Sequence, residues 1–196
     1  MKSTTILAVS VVLAVIVVVG AVFFLKGEDK AELPIRVEQY YDFNCPGCRS
    51  FHPIWNQLQA EFGDNSDVEL FTNNHPILGA ASQQAAFAHE AAILQNKGDE
   101  YSDILFENFE ARTDADFVKF AQELGLDVAK FNTDRESQNL QQGLLDKVNA
   151  ARERGITSTP TVFVGTRKAV KLDFDSLKEQ INSRIELAKS QKNANN

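Results

Sequence analysis

The first apolar feature of the chain has no periodicity. From Ile6 to Leu25, twenty positions, Ser10 is the only polar side chain. A helix rising about 1.5 Å per residue carries such a run across roughly 30 Å, the thickness of a hydrocarbon core. Residues 1–26 therefore predict one N-terminal transmembrane segment, and 27–34 a short charged linker. Beyond it the pattern becomes that of a folded domain. Residues 35–42, IRVEQYYD, are β-rich, with apolar side chains on both faces around Tyr40 and Tyr41, as in a strand covered on both sides. Phe51, Ile54, Trp55, Leu58 and Phe62 then fall at helical spacing, and Gly63 supplies a stop. Pro46 suits the first turn of that helix, while Pro53 lies inside it and is expected to kink it. Val68 to Thr72 reads as a second strand.

From Leu78 to about Arg154 the character is wholly helical. An alanine-rich helix spans Ala81 to Gln95, a second Tyr101 to Phe109, and a third opens at Thr113-Asp114-Ala115-Asp116 and stops at Gly125. Leu126 to Phe131 predicts one short turn, and Ser137 to Arg154 a longer helix closed by Gly155. Strand character returns in Thr161–Val164 and in Ala169–Leu172, a hairpin about Gly165-Thr166-Arg167. A last amphipathic helix runs from Asp175 to about Lys189, and 191–196 read as a frayed tail. With the helical block set aside, the order is that of a mixed α/β sheet flanked by helices.

Charge narrows the partners. Twenty basic against 27 acidic side chains give a net charge of −7, and the basic residues are scattered, so no nucleic-acid partner is expected. Lys2 precedes the apolar run and a net-negative flank follows it, which places the N-terminus in the cytoplasm and the domain outside. The run is longer than the usual signal-peptide core, so a retained signal-anchor is expected, with a cleaved, secreted form as the alternative. Either route delivers the domain to a compartment where disulfides persist.

Both cysteines lie in one stretch, Asn44-Cys45-Pro46-Gly47-Cys48-Arg49-Ser50-Phe51-His52-Pro53. A strand delivers Cys45 to the start of a helix, where free backbone N–H groups and the macrodipole favour a thiolate. Cys48, one turn further in, is expected to be less exposed. Their spacing permits a disulfide, but so small a loop restrains the unfolded chain little, which points to redox work rather than a clip. A zinc site drawing on Cys45, Cys48, His52 and His75 lacks the second Cys/His pair that such sites use, so no metal is expected. Trp55 reads as core, His75-Pro76 as loop, and His89 as a packed or surface residue of its helix. Pro160, in Gly155-Ile156-Thr157-Ser158-Thr159-Pro160-Thr161, stands at the mouth of a strand with its isomer state open.

These segments, in order and spacing, resemble the DsbA-like branch of the thioredoxin superfamily. The likeness rests on VEQYYDFNCPGCRSFHP, HPILGAASQQAAFAHEAA, AQELGLD and GITSTPTVFVG, and covers roughly residues 35–190. The resemblance implies a thioredoxin-like α/β fold with an inserted all-helical domain at about 78–154. It implies Cys45 as the nucleophile, Cys48 as its buried partner, and Pro46 and Gly47 as the dipeptide tuning redox poise. Pro160 would be the cis-proline facing the cysteines, and Thr159 the residue whose backbone pairs with substrate. Beyond the Cys45–Cys48 disulfide itself no cofactor is implied. Two departures stand out: Gln39 occupies the position of an acid common in relatives, and the dipeptide lacks a histidine. The function implied is a membrane-tethered dithiol oxidase, monomeric, acting on unfolded exported proteins with cysteines and re-oxidised by a membrane partner. The alternatives are a reductase or isomerase using the same pair with reversed electron flow, and a non-redox peptide-binding holdase.

Overall fold

The computed structural model describes residues 31–194. The apolar run expected to anchor the chain lies outside the described residues, as does the first half of the linker. Among the described residues no helix is long and apolar enough to cross a membrane.

The strand read from IRVEQYYD is β1, Ile35–Tyr41. It is one of two inner strands of a four-stranded sheet, parallel to β2 (Val68–Asn74) on one side and antiparallel to β3 (Thr161–Val164) on the other. That position accounts for six of its seven side chains being buried. Helix α1, Pro46–Phe62, makes the crossover between the parallel pair and runs as one helix through Pro53. Phe51, Trp55, Leu58 and Phe62 press against Ile35, Val37, Val162 and Val164, together with Leu177, Ile181 and Ile185 of α7 (Phe174–Ala194). α7 runs past the expected end of order: Gln191 is helical, and its Oε1 accepts the Ala31 N–H at 3.0 Å.

The helical block holds α2 (Ala80–Ile93), α3 (Gly98–Glu107), α4 (Asp114–Glu123), α5 (Val128–Glu136) and α6 (Gln138–Glu153). Thr113 and Asp116 form a reciprocal capping box at α4, and Ser137 caps α6, where these helices were expected to open. The expected short turn at 126–131 is instead nine residues of helix, because the Asp127 side chain accepts the Lys130 N–H and starts α5 there. α6 returns to the sheet, where Ala151 packs with Tyr40 on the face opposite α1. The hairpin after β3 differs from expectation. Gly165, at φ +62°, and Thr166 make a two-residue turn, so β4 is Arg167–Lys168 rather than 169–172, and Val170 is almost fully exposed.

His89 of α2 marks the seam between sheet and insertion. It is buried; Asn74 Nδ2 lies 3.0 Å and Tyr41 Oη 3.5 Å from its Nδ1. Burial pushes its pKa down from 6.5 to about 4, so the fold holds it neutral. The unfolded chain binds this proton more readily, so the stability is complete above pH 6.5 and drains as pH falls toward about 4. The loss should reach on the order of 2–3 kcal/mol. His89→Gln, which keeps one donor and one acceptor, should flatten that acid limb in urea unfolding measured from pH 7 to pH 4.

Candidate active site

The chain leaves β1 at Tyr41 and turns through Asp42, Phe43 and Asn44 into α1, whose N-cap is Cys45 in extended conformation. Its Sγ accepts the Cys48 N–H at 3.4 Å, taking the place a serine or aspartate oxygen holds in ordinary caps. The Cys45 thiol also lies 3.3 Å from the carbonyl oxygen of Thr159 and can donate to it. Cys48 Sγ lies 3.5 Å from the backbone N–H of Asp42. Both cysteines are free thiols, and neither is open to solvent: Cys45 is 8% exposed and Cys48 2%. The opening onto Cys45 is thus narrower than its expected role suggests. Burial pushes the Cys48 thiol well up from its ordinary value, against the Asp42 N–H and Thr159 hydroxyl that favour its anion.

The Thr159–Pro160 peptide is cis, which sequence left open. The Pro160 ring lies against the cysteine turn: a Cβ built on Gly47 would come within 3.1 Å of Pro160 Cδ and 3.7 Å of Cys45 Sγ. A side chain at 47 would press on the proline, which would have to give by a few tenths of an ångström. Pro46 takes the first helical position, where no intrahelical N–H is needed. The structure therefore brings Cys45, Pro46, Gly47, Cys48, Thr159 and Pro160 into one place.

Sequence reasoning missed the residues that hold this place together. Asp42 is fully buried. One carboxylate oxygen accepts the Asn44 N–H at 2.8 Å, and the other accepts Ile77 and Leu78 N–H at 2.8 and 3.0 Å. The cysteine turn is thereby tied to the loop after β2, where Leu78 remains half exposed at the rim. The Asp42-to-Asn44 bond is an Asx turn, a local signal the sequence did offer. Arg112 gave none. From the helical block its guanidinium donates to Asn44 Oδ1 and to the carbonyls of Phe43, Leu105, Asn108 and Ala111, filling all five N–H groups.

The candidate metal ligands go elsewhere. His52 Nε2 faces Asp103 Oδ1 at 2.6 Å, and His75 Nε2 faces the Ile156 carbonyl at 3.0 Å. Among the described residues no group of three or more His, Cys, Asp or Glu could hold a metal ion. Strand alternation separates Glu38 from Gln39 as expected. Glu38 is buried between Arg36 and Arg154, which together hold its carboxyl below the usual range despite burial. Gln39 lines a polar cavity beneath α1.

A family model described as Thioredoxin matches residues 24–183. The chain is 26% identical, over 94% of its length and 99% of the relative's, to a protein of Bacillus cereus named "Probable disulfide bond formation protein D". Among solved structures it resembles the thiol-disulfide exchange protein α-DsbA2 of Wolbachia pipientis, with a TM-score of 0.69 and 19% identity over 80% of this chain and 83% of that one. It also resembles oxidised BdbD of Bacillus subtilis, with a TM-score of 0.64 and 23% identity over 82% of this chain and 91% of that one. These likenesses establish a thioredoxin-like fold carrying a helical insertion.

Removing the buried carboxylate tests its hold on the turn. Asp42→Ala leaves three N–H groups without their acceptor and should cost on the order of 3–5 kcal/mol. Asp42→Asn, which keeps one carbonyl oxygen, should cost less. Urea unfolding of the reduced protein reads both as a lowered midpoint at unchanged slope.

Proposed function

From the premise that the chain belongs to the thioredoxin family, as a DsbA-like thiol-disulfide oxidoreductase, we propose that it is an extracytoplasmic dithiol oxidase that introduces disulfides into exported proteins. The observation that carries this reading is the placement of Cys45 Sγ at a helix N-terminus, against the Cys48 N–H and the Thr159 carbonyl beside cis-Pro160.

In the oxidised protein a substrate thiolate attacks Cys45 Sγ, the Cys45–Cys48 bond breaks, and Cys48 departs with the electron pair and gains a proton. A second substrate thiolate then attacks the substrate sulfur of the mixed disulfide and expels Cys45 as a thiolate. The helix start supports that departure, because a better-stabilised thiolate leaves faster. Thr159 offers main-chain groups to an extended substrate segment, a mode of docking that tolerates many sequences. The half-exposed Leu78 adds an apolar rim suited to unfolded chains. The run from Ile6 to Leu25 tethers the domain, residues 27–34 link it, and residues 35–190 act as the catalytic unit. A membrane partner returns the pair to the disulfide.

Cys45→Ser should abolish disulfide transfer to a reduced, cysteine-containing test protein. Cys48→Ala should trap mixed disulfides through Cys45, visible on non-reducing gels. The reduction potential of the pair decides direction. A value above roughly −200 mV fits the oxidase, and one near about −270 mV would make the protein a reductase.

A further inference from the structure

The cycle above moves a proton on and off Cys48, and this inference rests on that cycle. In re-oxidation the partner's sulfur is bonded to Cys45, and Cys48 must lose its proton to attack. Burial opposes that loss. Gln39 cannot ionise. Both oxygens of Asp42 are engaged by backbone N–H groups, and Glu38 sits on the other face of β1 between two arginines. His89 lies locked between Asn74 and Tyr41, and His75 faces Ile156. Tyr41, in the same cluster as Cys48, is held in its neutral form by burial. His52, on the helix that carries Cys48, remains.

His52 follows Cys48 by one helical turn on the same face of α1, and helical side chains lean toward the N-terminus, here toward Cys48. Its Nε2 meets Asp103 Oδ1 at 2.6 Å, with Asn56 Nδ2 on the same oxygen at 3.1 Å. That partner places the ring proton on Nε2 and leaves Nδ1 as a lone-pair acceptor. The ring packs 4.5 Å from Phe106, a member of the apolar cluster that contains Cys48. The His52 side chain is 13% exposed and that of Asp103 48%, so the pair runs from the buried side of α1 to the surface. A cavity of about 130 Å³ adjoins it, lined also by Tyr41 of β1, His89 of α2 and Asp99 of α3. Trp55 lines the same cavity, and its buried Nε1 has no hydrogen-bond partner, which marks the cavity as a place for water.

We propose that His52, oriented by Asp103, is the proton carrier of Cys48. During re-oxidation Cys48–SH gives its proton to His52 Nδ1, and the thiolate attacks Cys45 Sγ. The Cys45–Cys48 bond forms while the bond from Cys45 to the partner's sulfur breaks, its electron pair leaving on that sulfur. The imidazolium, facing the Asp103 carboxylate, releases its proton to solvent. In substrate oxidation His52 takes a proton from solvent and passes it to Cys48 as the thiolate departs. Asp103 acts as a positioning residue.

The test uses the reduced protein and oxidised glutathione, with acid quenching to separate two steps: formation of the mixed disulfide at Cys45, and its resolution by Cys48. His52→Gln should form the mixed disulfide at the wild-type rate but resolve it about tenfold more slowly or worse at neutral pH. Its pH–rate profile for resolution should lose an inflection. Imidazole in the buffer should restore resolution in His52→Ala. Asp103→Asn, at a half-exposed position, should slow the same step by about threefold or more and covers a folding failure at 52. Wild-type resolution rates with an unchanged pH profile in His52→Gln, or in Asp103→Asn where that variant alone folds, would overturn the proposal. A wild-type protein whose mixed disulfide Cys48 never resolves would instead sink the oxidase reading itself.

Discussion

A single buried carboxylate organises the reactive end of this protein. Asp42 follows β1, and three backbone N–H groups from two separate loops converge on it. A carboxylate taken out of water is tolerable only when such bonds replace its hydration. The same residue's backbone N–H points at Cys48 Sγ. One side chain thus fixes the path of the chain into α1, and its main chain touches the thiol that path must position. Arg112 completes the arrangement from the far side by holding the carbonyl of Phe43 and the amide of Asn44. The turn carrying Cys45 is therefore gripped from both lobes.

That grip makes the helical insertion part of the site. Cys45 and Cys48 pack in the cluster formed by Phe43, Tyr101, Phe106, Phe117 and Phe131, which is the core of the insertion, while the next turns of α1 pack under the sheet. The two cores meet along α1. The dielectric around Cys48 is set by side chains far away in sequence, and so is its reluctance to ionise. A thioredoxin-like sheet without the insertion would present the same four-residue sequence to a different environment.

What was legible in the sequence was local. Helical spacing from Phe51 to Phe62, the cap at Thr113 and the glycine stops depend on neighbours a few residues away, and the structure has them where the pattern put them. The placement of Cys45 at a helix start followed from the same reasoning. The second hairpin strand was misplaced because apolar residues at 169–172 mimic a strand, whereas the turn at Gly165-Thr166 fixes a register that ends two residues later. The tail at 191 was read as frayed because its polar composition hides a bond to Ala31, 160 residues away. Asp42 beyond its Asx turn, Arg112, and the pairing of His52 with Asp103 likewise depend on contacts between distant segments. No window of residues contains both partners, so periodicity could not disclose them.

Ala31 also fixes where the polypeptide enters the domain. It is buried against α7 at the Ile35 end of β1, whereas the thiols lie beyond Tyr41 at the other end, about 20 Å along the strand. Whatever docks at the Ile35 end of β1 therefore leaves the cysteine turn at the other end uncovered.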